Sequence, residues 1–158
     1  MHGEPEMLEN LRQYCIETQE PQKLNNYLKC FLKEGNYQSC LTSEKIDVTK
    51  LASCEKTTDA QFKIKQSFQD KASWENSAYP PFAIFDADNT KYGVHGSPTL
   101  IINGATISVL RDPDSFKKAI CAAFTKEPEV CKTVLSSAVP SSGFGEGAVA
   151  GSATGSCN

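Results

Sequence analysis

Arginine is scarce: Arg12 and Arg111 are the only two in 158 residues. The 16 basic residues form no run, and the net charge is −3. Nucleic acids and anionic membranes are held by clustered cations on phosphate, so neither is an expected partner. Histidine is limited to His2 and His95, and no two of the 7 cysteines are separated by two residues. That spacing excludes a zinc knuckle and a C-x-x-C dithiol, and no metal site is expected. There is also no glycine-rich phosphate loop, no Ser-His-Asp arrangement and no cofactor box, so no cofactor is expected. The longest apolar stretch, Thr99–Leu110, is interrupted by Asn103-Gly104 and is too short to span a bilayer. The opening MHGEPEMLEN is acidic and polar, unlike a signal peptide or an anchor. Two explanations fit: a mature chain left by processing, or an internal methionine at Met1 of a longer protein. The second is favoured.

What is abundant is cysteine, at positions 15, 30, 40, 54, 121, 131 and 157. A disulfide framework fits these spacings better than a metal site and implies an oxidising, extracytoplasmic compartment. Six cysteines allow about 15 pairings, and the sequence alone does not choose among them.

The apolar pattern is mainly helical. Met7, Leu8, Leu11, Tyr14 and Cys15 recur at helical spacing, which predicts a helix from Pro5 to about Thr18. Pro21 restarts a helix where a missing N–H costs nothing; Leu24, Tyr27, Leu28, Phe31 and Leu32 line it, and Gly35 ends it. Asn36–Ser43 reads as a loop carrying Cys40. Asp47 caps a short helix through Cys54 with Val48 and Leu51 inward. Thr58 and Gln61 fit a capping box for a further helix to about Ala72, burying Ala60, Ile64 and Phe68. Trp74–Pro81 reads as a loop, Phe82–Phe85 as a short extended or irregular run, and Asp88–Val94 as a helical turn. Asp112-Pro113 opens a helix with Phe116, Ala119, Ile120 and Ala123 inward, and Pro128 starts a last short helix through Leu135. Tyr27, Phe31, Phe62, Phe68, Phe82 and Phe116 are the aromatic core candidates. From Ser136 the composition shifts: residues 141–158 hold five of the 10 glycines, so 136–158 is expected to be a disordered tail.

The most specific stretch is Lys91–Ile107, KYGVHGSPTLIINGATI. Asn103-Gly104 between two apolar, β-branched runs is a strong hairpin signal, because both residues tolerate the positive φ of a two-residue turn. Pro98 after Gly96-Ser97, just before a strand, suits a constrained turn and a cis peptide. This loop resembles the cis-proline loop of thioredoxin-like proteins. The N-terminal stretch HGEPEMLENLRQYC resembles the signature of gamma-interferon-inducible lysosomal thiol reductases, C-Q-H-G-x-x-E-C-x-x-N-x-x-x-x-C. His2, Gly3, Glu6, Asn10 and Cys15 fall in register, Met1 stands at the glutamine, and Met7 replaces the second cysteine. Cys30, Cys40 and Cys54 follow at similar spacings, and Cys121 and Cys131 resemble the family's C-terminal cysteine pair. The GSPTLIING loop is closer to the DsbA-like members.

The resemblance covers residues 2–131. It implies an α+β, mostly helical architecture: the C-terminal two-thirds of a thioredoxin-like fold with a disulfide-stapled helical insertion and a β-hairpin. Residues 1–135 would form this partial domain, with the insertion at about 5–74 and the loop, hairpin and C-terminal helices at about 82–135. The family's activity is cofactor-free thiol–disulfide exchange on exported proteins. Its first strand and active-site dithiol have no counterpart here, so no catalytic residue carries over, and a fragment or degenerate member, inactive alone, is expected. Ser97 and Pro98 would bind substrate, the residue before a cis-proline offering its backbone to an extended peptide. Partners would be disulfide- or thiol-containing proteins, if a redox half completes the site. His95 would then lie beside a thiolate; as a lone loop histidine it is more simply solvated. Cys15, Cys30, Cys40, Cys54, Cys121 and Cys131 are expected in structural disulfides. The ten-residue spacings favour Cys30–Cys40 and Cys121–Cys131, which leaves Cys15 with Cys54 and Cys157 unpaired. Thr99–Ile102 would expose an unpaired strand edge open to a second copy of the chain. Two other classes compete: a disulfide-stabilised module that binds peptide without chemistry, and a saposin-like lipid binder, which the Asn-Gly hairpin argues against.

Overall fold

The computed structural model describes residues 3–96 and 98–140. The described residues are mostly helical with one small antiparallel sheet of two strands, and they divide into two compact units at Ile84/Phe85.

The first unit is helical. α1 (Glu4–Gln19) turns Met7, Leu11, Cys15 and Ile16 inward, the stripe that a 3.6-residue period dictates. α2 (Pro21–Glu34) begins on Pro21, and Gly35 closes it at φ 65° with its N–H donating to the Phe31 carbonyl at 2.8 Å. The expected loop at Asn36–Ser43 is instead a helix, α3 (Tyr37–Ser43). Asn36 makes it possible: its side-chain oxygen accepts from the N–H groups of Gln38 and Ser39 at 3.1 and 3.3 Å, relieving the unpaired donors of a first turn.

α4 (Val48–Phe62) starts as expected, with Asp47 accepting from the N–H groups of Thr49 and Lys50 at 3.0 Å. It does not stop at Cys54. The helix continues through Thr58, so the Thr58–Gln61 capping box does not form, and the break comes at Lys63, which has a positive φ of 53°. Thr58 is buried with its hydroxyl against the sulfurs of Cys15 and Cys54, at 3.9 and 3.7 Å. A residue so placed on the inner stripe has no cause to start a new helix. That stripe is Leu51, Cys54 and Thr58; Val48, expected inward, is 59% exposed, and Ala60 also lies on the outer face. α5 (Ile64–Gln69) buries Ile64 and is followed by a 3₁₀ turn at Lys71–Ser73. The Trp74 indole N–H donates to the carbonyls of Ser67 and Phe68 at 3.1 and 3.2 Å, tying the next loop to α5. Phe82–Phe85 is not extended: Ala83–Phe85 forms a 3₁₀ turn.

The second unit holds α6 (Asp86–Tyr92), β1 (Leu100–Ile102), β2 (Ala105–Ile107) and α7 (Pro113–Cys121). Asn103 and Gly104 sit at φ 50° and 82°, the paired left-handed turn that the Asn-Gly signal predicts. Leu100 pairs with Ile107, Ile101 with Thr106 and Ile102 with Ala105. Asp112 caps α7, accepting from the Ser115 N–H at 2.8 Å and the Ser115 hydroxyl at 2.6 Å. The helix expected from Pro128 to Leu135 is reduced to a 3₁₀ turn, Glu129–Lys132. Beyond it the chain is held back on α7: the Asp114 N–H donates to the Ser136 carbonyl at 3.1 Å, and the Lys117 ammonium to that of Thr133.

The units differ in core. The helical unit buries Met7, Leu11, Ile16, Tyr27, Leu51 and Ile64 in one cluster. Among the described residues of the second unit only Asp112 and Cys131 are buried, while Leu110 is 70% and Val134 89% exposed. Residues 136–140 are exposed, and the rest of the expected tail, with Cys157, lies outside the described residues.

Candidate functional site

Pro98 stands two residues before β1, the strand that the hairpin turn folds back on itself. It lines a cleft of about 320 Å³ with Thr99, Leu100, Ile107, Val109 and Phe116. The hairpin supplies the wall because side chains alternate along a strand, and α7 supplies Phe116 because the Asp112 cap fixes where the helix begins. Thr106, Ser108 and Arg111 add polar groups to the same cleft. Thr99 is held at its entrance by its hydroxyl, which donates to the Gly96 carbonyl at 2.5 Å. Ser97 and the Ser97–Pro98 peptide lie outside the described residues. His95 is exposed.

The register decides which backbone groups point where. A two-residue turn makes Ile102–Ala105 a hydrogen-bonded pair, so pairing alternates and Ile101–Thr106 is not one. Ile101 therefore directs its N–H and C=O away from β2, to the outer edge of β1. No other strand pairs with that edge among the described residues.

Three disulfides are present among the described residues: Cys15–Cys54, Cys30–Cys40 and Cys121–Cys131, with sulfurs 2.11, 1.98 and 2.01 Å apart. They are the pairs expected. Cys15–Cys54 joins α1 to α4, Cys30–Cys40 joins α2 to α3, and Cys121–Cys131 closes the end of α7 on the 3₁₀ turn. The first is buried at both ends.

A polar network that sequence reasoning missed lies inside the helical unit. The Glu9 carboxylate accepts from the Tyr27 hydroxyl at 2.8 Å, from the Gln13 amide at 3.0 Å and from the Arg12 guanidinium. Arg12 also stands 3.9 Å from the Glu55 carboxylate and 3.6 Å over the Tyr37 ring. Burial, then the hydrogen bond to Glu9, pushes the Tyr27 hydroxyl above the tyrosine range; burial likewise raises Glu55. Tyr27 reaches Glu9 from the neighbouring helix, so no local spacing signals the network. Its bonds join α1 to α2, and the Arg12–Glu55 approach joins α1 to α4.

No helix among the described residues is long and apolar enough to cross a membrane. No protein family, no curated protein and no solved structure matches the chain.

Proposed function

We propose that this chain is the substrate-binding part of an exported thiol–disulfide oxidoreductase of the gamma-interferon-inducible thiol reductase and DsbA-like kind, a thioredoxin-like protein with no redox dithiol of its own. The observation that carries the reading is the open edge of β1 beside Pro98. An extended peptide adds to a sheet through main-chain hydrogen bonds and gains specificity from pockets for alternate side chains. Ile101 offers one N–H and one C=O to such a peptide, and the adjoining cleft offers the pocket. The thin core of the second unit supports the same reading, since apolar residues left uncovered suit a sheet that is completed by further strands. The three disulfides are compatible with an extracytoplasmic setting.

Without a vicinal dithiol the chain binds substrate and does not resolve a mixed disulfide. The non-catalytic peptide-binding module makes the same first claim and differs only when a redox half is supplied. The test is titration of the ¹⁵N-labelled chain with an extended peptide carrying an intramolecular disulfide. Shifts concentrated in Thr99–Ile102, and lost in Ile101→Pro, are expected. Proline is tolerated where an edge N–H faces outward, so this variant blocks the dock and leaves the hairpin in place. Equal binding by Ile101→Pro and the parent would remove the basis for the proposal.

A further inference from the structure

The Cys30–Cys40 disulfide differs from the other two in what stands next to it. Glu34 follows Cys30 by four residues on α2, so both side chains project from one face, one turn apart. Cys40 comes to them from α3 across the turn made by Gly35 and Asn36. One ligand atom from each of Cys30, Glu34 and Cys40 lies within 4.8 Å of the other two. The carboxylate is also oriented from behind: the Ser39 hydroxyl donates to Glu34 Oε2 at 2.5 Å. Cys40 is buried, whereas Cys30 is half-buried and Glu34 exposed, so the trio is reachable from solvent.

We propose that reduction of Cys30–Cys40 turns this staple into a three-ligand site for a thiophilic divalent cation, zinc first. Two thiolates and a carboxylate match the ligand preference of that ion, and a fourth position stays open to water. Zinc–sulfur bonds of about 2.3 Å place two thiolates about 3.8 Å apart in a tetrahedron. The two cysteine Cα atoms are 5.7 Å apart, so the sulfurs reach that separation by side-chain rotation alone. Ser39 is the outer hydrogen-bond donor that such a carboxylate ligand needs. The chemistry balances. A dithiol reductant delivers two electrons and two protons to the Cys30–Cys40 bond and is itself oxidised to a disulfide. The cation then displaces both thiol protons to solvent and binds the two sulfurs and the Glu34 carboxylate. The α2–α3 corner is thereby held by a disulfide under oxidising conditions and by a metal under reducing ones. The site does not depend on the peptide-binding reading of the hairpin.

The test uses Co²⁺ as the probe, added without oxygen to the whole chain carrying Cys157→Ser, after full reduction with a phosphine. One equivalent should bind with the visible bands of a tetrahedral site and a thiolate-to-cobalt band, and Zn²⁺ should displace it. Cys121→Ser/Cys131→Ser should keep this spectrum, and Cys30→Ser/Cys40→Ser should lose it. Glu34→Gln should weaken the affinity roughly tenfold or more. Binding that survives loss of Cys30 and Cys40, or equal affinity in Glu34→Gln and the parent, overturns the site. If reduction by itself melts α2 and α3, recovery of the far-ultraviolet helical signal on adding Co²⁺ to the parent, and not to Glu34→Gln, supports it. No recovery overturns it.

Discussion

Removing the Cys15–Cys54 bridge by Cys15→Ala/Cys54→Ala should be the most damaging of the three possible disulfide deletions. The bridge closes a segment of 39 residues, against 10 for each of the others. Loop-closure entropy in the unfolded chain then assigns it about 4 kcal/mol, and about 2.7 kcal/mol to each short loop. The packing acts in the same direction. Both sulfurs are buried against the Thr58 hydroxyl, so deletion leaves a small void between α1 and α4 with a polar group facing it. The Cys30–Cys40 bridge is buried at one end only, Cys40, while Cys30 is half-buried, so its deletion opens the smaller void. Urea unfolding of each double variant, in a Cys157→Ser background and followed by far-ultraviolet circular dichroism, measures the difference. The helical unit dominates that signal, so the midpoint should fall furthest for Cys15→Ala/Cys54→Ala. A smaller fall than for Cys30→Ala/Cys40→Ala would refute the reasoning, because neither loop length nor burial could then be setting the stability.

Other outcomes follow from single groups. Tyr27→Phe should cost about 1.5–3 kcal/mol in urea unfolding, the range for a hydrogen bond to a charged acceptor, and a loss below about 0.5 kcal/mol would dissolve the buried network as a stabilising unit. Because burial and Glu9 raise the Tyr27 hydroxyl above its ordinary value of 10.0, that residue's share of stability is complete below pH 10 and lost as pH rises through the higher folded value; Tyr27→Phe should flatten the alkaline limb of stability against pH. Gly104→Ala places a Cβ at φ 82° and should destabilise the hairpin by about 1 kcal/mol, read as faster amide exchange at Leu100 and Ile102. In the unaltered protein the Ile101 amide should exchange much faster than those of Leu100 and Ile102; slow exchange there in a proven monomer would mean that the β1 edge is covered. The chain alone should not reduce insulin disulfides, and turnover well above a glutathione blank that persists in Cys157→Ser would falsify that expectation.

The features written in the sequence are those whose causes are local. Pro21 and Gly35 bound α2, Asp47 and Asp112 cap their helices, and Asn103-Gly104 turns the hairpin, each through its own backbone preference or a side chain two or three residues away. The disulfide pairing was partly legible for the same reason, since two of the bridges close short loops. Where a local signal was ambiguous, tertiary packing chose. Thr58 carries the mark of a helix start, yet its hydroxyl is taken up by the Cys15–Cys54 bridge and α4 runs on through it. Pro128 reads as the start of a helix through Leu135, but the disulfide and the contacts of Asp114 and Lys117 draw that segment out along α7. The Glu9–Tyr27 bond and the meeting of Cys40 with Cys30 and Glu34 join residues on different helices, so they exist only once the chain has folded. The outward face of Ile101 is of the same kind: the Asn-Gly turn is local, but which peptide groups remain unpaired depends on the register of two strands and on no third strand lying beside them among the described residues.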